Sequence, residues 1–373
     1  MKKQLVLGIM SGTSLGSVDY ALCEISGRKV KLKELWAVNY PKKLQDKLHE
    51  AAKGSLSSWD FCQLHHDLGR FYAEHAVRGK SKPQLVGLHG QTVFHNPSER
   101  NPATFQLGES AYLVEKLRAP VVNNFRAADL AAGGQGAPLA TLFHEYAFAE
   151  RGKHVCVNNL GGISNVTSLN WRNRKAARPE ILSFDTGPAN MLIDFAMRHF
   201  SGGKLEFDRN GSWAARGKAN EPLLNRWLKH PYFRKSPPKS TGRELFGEPF
   251  FVKAIAEMKA LSRFDAIATF TEFTARTVAL NYQLHLGAVP DRVILTGGGA
   301  SNPVLKEWIE QALRQSDGIP KVITSAGQGW PVEAIEPAAF ALLAYLRLNK
   351  VAGNIPETTG AYHPVLCGTL ADV

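Results

Sequence analysis

Cysteine is scarce in this chain: four in 373 residues, Cys23, Cys62, Cys156 and Cys367, with no Cys-x-x-Cys pair. That spacing excludes a zinc ribbon or a dithiol redox motif and reads as buried, reduced thiols. No apolar run approaches the ~18 residues that span a bilayer. Low-complexity tracts and coiled-coil heptads are missing as well. The start, Met1-Lys2-Lys3-Gln4, is basic, but the short apolar segment behind it is interrupted by Ser11-Gly12-Thr13-Ser14. No secretory signal is expected from that pattern, so the expected location is the cytoplasm, with no membrane partner. Acidic residues are in deficit, 33 against 45 Lys and Arg, for a net charge of +12. Such a surplus can attract nucleic acid or small anions. The basic residues are scattered and no aromatics interleave with them, so they read as solvated surface, without a nucleic-acid partner.

Glycine and apolar residues are abundant: 33 Gly and 44% hydrophobic residues suit an α/β protein with many tight turns. The length favours two domains over one core. The stretch that organises the chain is Gly8 to Asp19, GIMSGTSLGSVD. It joins the strand-like runs Leu5-Val6-Leu7 and Tyr20 to Ile25 into a hairpin. Its small residues let backbone N–H groups approach a phosphate, and Ser11, Thr13 and Ser14 add hydroxyls. No Lys follows in P-loop position, so this is not a Walker motif. An ordinary polar hairpin fits the residues equally well.

Helices and strands alternate downstream. Residues 60–78 read as a helix, from Phe61, Leu64, Leu68, Phe71 and Tyr72 at helical spacing. Leu85 to Leu88 is a strand that ends in the polar loop His89-Gly90-Gln91-Thr92. Pro120-Val121-Val122 is a strand leading to Arg126, and Gly133 to Pro138 reads as a hinge or domain boundary. The second half begins as the first does. Val155 to Leu160 is a strand, Gly161 to Asn165 a small polar turn, and Val166 to Leu169 the return strand. Such weak symmetry points to two domains of like topology. Ile181 to Phe184 is a strand running into a loop at Asp185 and a helix from Met191. Helices follow at about 249–262 and 265–286, a strand at 292–295 opens into Gly297-Gly298-Gly299, and a last helix spans about 331–349.

Three small-residue turns at strand ends, 11–14, 161–165 and 297–302, suit two domains that clamp a nucleotide. The chain resembles the anhydro-N-acetylmuramic acid kinase family of the actin, hexokinase and Hsp70 superfamily. The resemblance covers essentially the whole chain. It is carried by MSGTS at 10–14, HGQT at 89–92, FRAADLAAGGQGAPL at 125–139, NLGGISNVT at 159–167 and FDTGPAN at 184–190. It continues through FDRNG at 207–211, KSTGRE at 239–244, LTGGGASNP at 295–303 and EPAAFALLA at 336–344.

The resemblance implies two RNase H-like, actin/hexokinase-type α/β domains around a central cleft. Domain I is expected at about 1–130 plus 346–373, with domain II, 131–345, between. It implies ATP and Mg²⁺ as cofactors, an amino sugar as the small-molecule partner, and a homodimer. The implied reaction opens 1,6-anhydro-N-acetylmuramic acid with water and phosphorylates O6. Asp185 would be the base that activates the water; as a residue before a Pro-containing helix start, it also reads as a helix cap. Arg126 would pair with the lactyl carboxylate, or equally form a salt bridge with Asp129. His89, Gln91, Thr92, Glu336 and Asn190 would line the sugar. Ser11, Gly12, Thr13, Ser14, Gly161 and Gly162 would contact phosphates, with Gly297, Gly298, Gly299 and Asn302 along the adenosine. Mg²⁺ would bridge phosphates, mostly through water; no metal ligand is assigned.

Two positions depart from the family pattern. Where the family carries x-Asp-Gly-x-Asp after SGTS, this chain has Leu15-Gly16-Ser17-Val18-Asp19, and Asn124 stands where an Asp precedes Phe-Arg. Both changes remove negative charge, and they leave open a weakened paralogue that binds a nucleotide or muropeptide as a sensor.

Overall fold

The computed structural model describes residues 2–12, 15–97, 100–314 and 320–373. Twelve strands occur among them. They are β1 (Gln4–Ser11), β2 (Ser17–Ser26), β3 (Lys29–Asn39), β4 (Leu85–Asn96), β5 (Ala103–Leu107) and β6 (Val121–Asn123), then β7 (His154–Leu160), β8 (Ile163–Asn170), β9 (Glu180–Pro188), β10 (Arg292–Thr296), β11 (Lys321–Thr324) and β12 (Thr369–Ala371). The chain divides into two compact units, Met1–Ala147 with Glu333–Val373, and Phe148–Val332.

In the first unit the strand order is β12-β6-β4-β1-β2-β3, with β5 added to β4. β1 runs antiparallel to β2 and parallel to β4, and β4 runs parallel to β6. β1 is central and apolar almost throughout, as a strand covered on both faces must be. β3 lies at the edge and alternates Lys29, Lys31 and Lys33 with Val30 and Leu32, a charge pattern that discourages further strand addition. One face carries the helix Ser58–Ala76. Ser57 caps it by accepting the Asp60 N–H at 3.1 Å, and Leu64, Leu68, Phe71 and Tyr72 pack with Leu7, Ile9 and Tyr20. Gly8 alternates with Leu7 and Ile9 and so faces the opposite side, where the helix Ile335–Leu348 lies. A Cβ at Gly8 would overlap the Pro337 carbonyl, and one at Gly87 the Phe340 carbonyl.

In the second unit the order is β11-β10-β7-β8-β9. β7 pairs antiparallel with β8, β8 with β9, and β10 lies parallel to both β7 and β11. The same five-strand order, with the same directions, joins β1, β2, β3, β4 and β6. Each unit is therefore an RNase H-like sheet, and the α/β class expected from the alternation holds. The long helix Arg263–His285 supplies much of the second core, with Ala275, Val278 and Tyr282 against Cys156, Leu160 and Phe184.

Four expectations need correction. His89 to Thr92 is not a loop: β4 continues through it to Asn96, because β5 gives that stretch a partner. Asp185 to Pro188 likewise lies inside β9, paired to β8. The unit boundaries fall at 147/148 and 332/333 rather than near 130 and 345, so the helix Ile335–Leu348 belongs to the first unit, where it packs on β1, β2 and β4. Residues 133–138 are not a hinge. Buried Asp129 accepts the Gly136 N–H at 2.7 Å and also bonds Asn354 and Thr359, both at 2.7 Å, and the Gln135 N–H reaches the Thr359 carbonyl.

Candidate active site

The first unit gathers Arg126, His89, Gln91, Glu336 and Asp19. Arg126 donates Nε and Nη2 to His89 Nε2, at 3.2 and 2.9 Å, and Nη1 to the Gly136 carbonyl at 2.7 Å. His89 Nδ1 donates to the Gly90 carbonyl at 2.8 Å. A ring that donates from one nitrogen and accepts at the other is neutral. Burial pushes the His89 pKa well below its usual range, and the Arg126 charge adds to this. His89 therefore positions Arg126, and Asp129 is engaged elsewhere. Burial lowers the Arg126 pKa, opposed by the charge of Glu336; burial raises that of Glu336, opposed by Arg126. Asn124, before Phe125, adopts the left-handed region at φ 52°, which an Asn tolerates better than most residues.

Asp19, on β2, is a carboxylate the motif reading left without a role. Its pKa is pushed up to about 6, by burial first and then by the charges of Glu336 and Glu333. Gln91 is fully buried; its Nε2 donates to the Gly12 and Thr92 carbonyls at 3.1 and 3.3 Å, and its Oε1 has no partner. Ser11 is turned inward, where its hydroxyl meets the Gly90 carbonyl and Tyr72 at 3.3 and 3.4 Å. Thr92 is half-buried. Thr13 and Ser14 lie outside the described residues.

The second unit holds Asp185 from three sides. Its N–H donates to the Lys239 carbonyl at 3.0 Å, its carbonyl accepts the Tyr232 hydroxyl at 2.7 Å, and Oδ2 accepts the Thr241 N–H at 2.9 Å. Burial pushes its pKa up to about 6 against the Thr241 N–H, with Glu244 adding to the rise. The helix that follows, Asn190–Ser201, starts from Ala189 with no side-chain cap, so Asp185 is not a capping residue. Lys239 anchors the supporting segment. Its Nζ donates to the Phe233 and Tyr232 carbonyls at 3.0 and 3.4 Å and lies 3.0 Å from His285 Nε2, and burial lowers its pKa to about 8.

The glycine turns differ in kind. Gly297 has φ +75° and is packed against Leu160, while Gly299 fits against Asn190 and Leu160, so both are required by the chain itself. A Cβ at Gly12 or Gly298 would meet nothing within 4 Å. Gly161 and Gly162 are nearly as open, and their carbonyls receive the N–H groups of Asn190, Ala189 and Met191. Glycine at such open positions keeps backbone accessible to an approaching group. Asn190 donates to the Leu160 carbonyl at 2.8 Å, which places it under this turn. Asn302 Oδ1 accepts the N–H groups of Val304 and Leu305, both at 3.1 Å, and so caps the following helix.

Residues 4–372 match the family described as anhydro-N-acetylmuramic acid kinase. The chain belongs to the anhydro-N-acetylmuramic acid kinase family. Proteins named anhydro-N-acetylmuramic acid kinase include one from Picosynechococcus sp. that is 39% identical over 98% of this chain and 98% of its own. Another, from Acaryochloris marina, is 40% identical over 98% of this chain and 99% of its own. Among solved structures, an activator of 2-hydroxyisocaproyl-CoA dehydratase from Clostridium difficile with bound ADPNP aligns over 93% of this chain and 96% of its own, at 11% identity and a TM-score of 0.43. Within the family frame, sequence reasoning missed Asp19, Tyr232, Lys239 and Thr241. Three had a signal: Asp19 closes the first glycine motif, and Lys239 and Thr241 sit in KSTGRE, whereas Tyr232 lies in no motif.

Proposed function

We propose that this chain is an ATP-dependent kinase that opens 1,6-anhydro-N-acetylmuramic acid with water and phosphorylates O6, giving N-acetylmuramic acid 6-phosphate. Within the family, the observation that carries this reading is Asp185: a carboxyl raised to about 6 yet ionised at neutral pH, held at backbone and side chain. Such a group takes a proton from water as the water oxygen bonds to the anomeric carbon. The bond from that carbon to O6 breaks with its electrons on O6, which attacks the γ-phosphorus and displaces ADP. Arg126 pairs with the lactyl carboxylate, for which His89 and Gly136 fix its plane. Glu336, Gln91 and Thr92 face the sugar, with the Gln91 Oε1 left for a substrate hydroxyl. Gly12, Gly161, Gly162 and Gly298 offer backbone to phosphates and adenosine, and Thr13 and Ser14 keep their phosphate role. Ser11, Asn190, Asn302, Gly297 and Gly299 support these turns from beneath.

Asp19, raised by burial first and then by the charges of Glu336 and Glu333, is the carboxylate a nearby Mg²⁺ would favour in its ionised form. Asp19 would hold that ion through water. Bound Mg²⁺ neutralises charge on the phosphates. We also infer a homodimer in the cytoplasm, which light scattering and cell fractionation test. For the reaction, phosphorus NMR should show one phosphomonoester formed per ADP, only when the anhydro sugar is present. ADP released at the same rate without sugar would contradict it.

A further inference from the structure

We propose that the Thr241 hydroxyl is the second hydrogen-bond partner of the attacking water. This inference rests on Asp185 being the base. Two independent observations support it. The Thr241 N–H reaches Asp185 Oδ2 at 2.9 Å, which fixes the residue beside the carboxylate. A few covalent bonds farther on, Thr241 Oγ1 is buried with no hydrogen-bond partner. Leaving a buried hydroxyl without a partner is unfavourable. Valine has nearly the same shape and would avoid that penalty. Retaining the hydroxyl has a physical reason if a water meets it during the reaction.

The two groups divide the water's hydrogens. One bonds to Asp185 and is transferred to the carboxylate as the oxygen attacks the anomeric carbon. The other points at Thr241 Oγ1, is not transferred, and remains as the hydroxyl hydrogen on the product's O1. Thr241 keeps its own proton throughout. Holding both hydrogens directs an oxygen lone pair at the carbon, which a carboxylate alone leaves free to swing. Among the described residues, the charged and titratable groups around Asp185 include Glu244, which raises it, Tyr232, whose hydroxyl bonds the Asp185 carbonyl, and Lys239, whose carbonyl accepts the Asp185 N–H. The contact Thr241 makes with the carboxylate is through its backbone, and a side-chain substitution preserves it.

The test is steady-state kinetics, melting temperature and the pH profile for Thr241→Val and Thr241→Ser, beside Asp185→Asn. The expected result for Thr241→Val is kcat lowered about tenfold, as loss of one hydrogen bond gives. The sugar KM should stay within about twofold, the acid limb should stay in place, and melting should be unchanged or higher. Thr241→Ser should recover most of the lost rate. Thr241→Ala, expected to lose rate as Val does, substitutes if the Val variant does not fold. Unchanged kcat in Val or Ala overturns the proposal, as does a shifted acid limb, which would mean action through Asp185's ionisation. Substantial activity in Asp185→Asn overturns the base assignment instead.

Discussion

At Asp185, burial outweighs the hydrogen bond from Thr241 and leaves the carboxyl near 6. A base must be ionised, so kcat/KM should fall as pH drops through about 6. The consequence for stability has the opposite sense. A carboxyl raised in the folded state favours folding at low pH, and that contribution is lost as pH rises from the unfolded value of 3.8 through about 6. Asp185→Asn, neutral throughout, should therefore melt no lower than the parent above that window. Its turnover should drop by ~10²–10⁴-fold with ATP and sugar binding retained. Kinetics and melting on one preparation decide the matter, and an active Asn variant would remove Asp185 from the chemistry. Arg126 belongs to the same scale. Lys carries the charge but not the fork that bonds His89 and Gly136, so Arg126→Lys should raise the sugar KM about ten- to a hundredfold. The ATP KM should not move; equal changes in both would mean a general packing defect.

At the scale of elements, the glycines separate architecture from ligand contact. Gly8 and Gly87 admit the helix Ile335–Leu348 to the sheet, and a Cβ at either overlaps that helix's backbone. Gly8→Ala should lower the melting temperature by several degrees, as overpacking by about 1–3 kcal/mol does. Gly298→Ala meets open space, so it should leave melting unchanged and raise the ATP KM. Calorimetry with initial rates checks both. Legibility followed a similar division. The hairpins at 8–19 and 155–169 could be read from apolar runs bounding small residues, and so could the helices of each core. The extents of β4 and β9 could not, because polar His89 to Thr92 and Asp185 to Pro188 are held in the sheets by partners distant in sequence. The Gly-rich run 133–138 looked loose, and its restraint comes from Asp129, Asn354 and Thr359. For the proposed site, motifs pointed to Asp185 and Arg126. That Asn302 caps a helix, and that Ser11 faces inward, depends on packing that composition does not encode.

At the scale of the whole molecule, both units repeat one strand order. The proposed chemistry is a single coupled event, in which water opens the anhydro bond while O6 receives the phosphoryl group. The direct measurement is mass spectrometry of the product formed from the anhydro sugar and ATP-Mg²⁺ in ¹⁸O-water. The account predicts a 6-phosphorylated sugar carrying one ¹⁸O at C1 and none in its phosphate. Label in phosphate with the sugar unchanged would mean plain ATP hydrolysis and would contradict it.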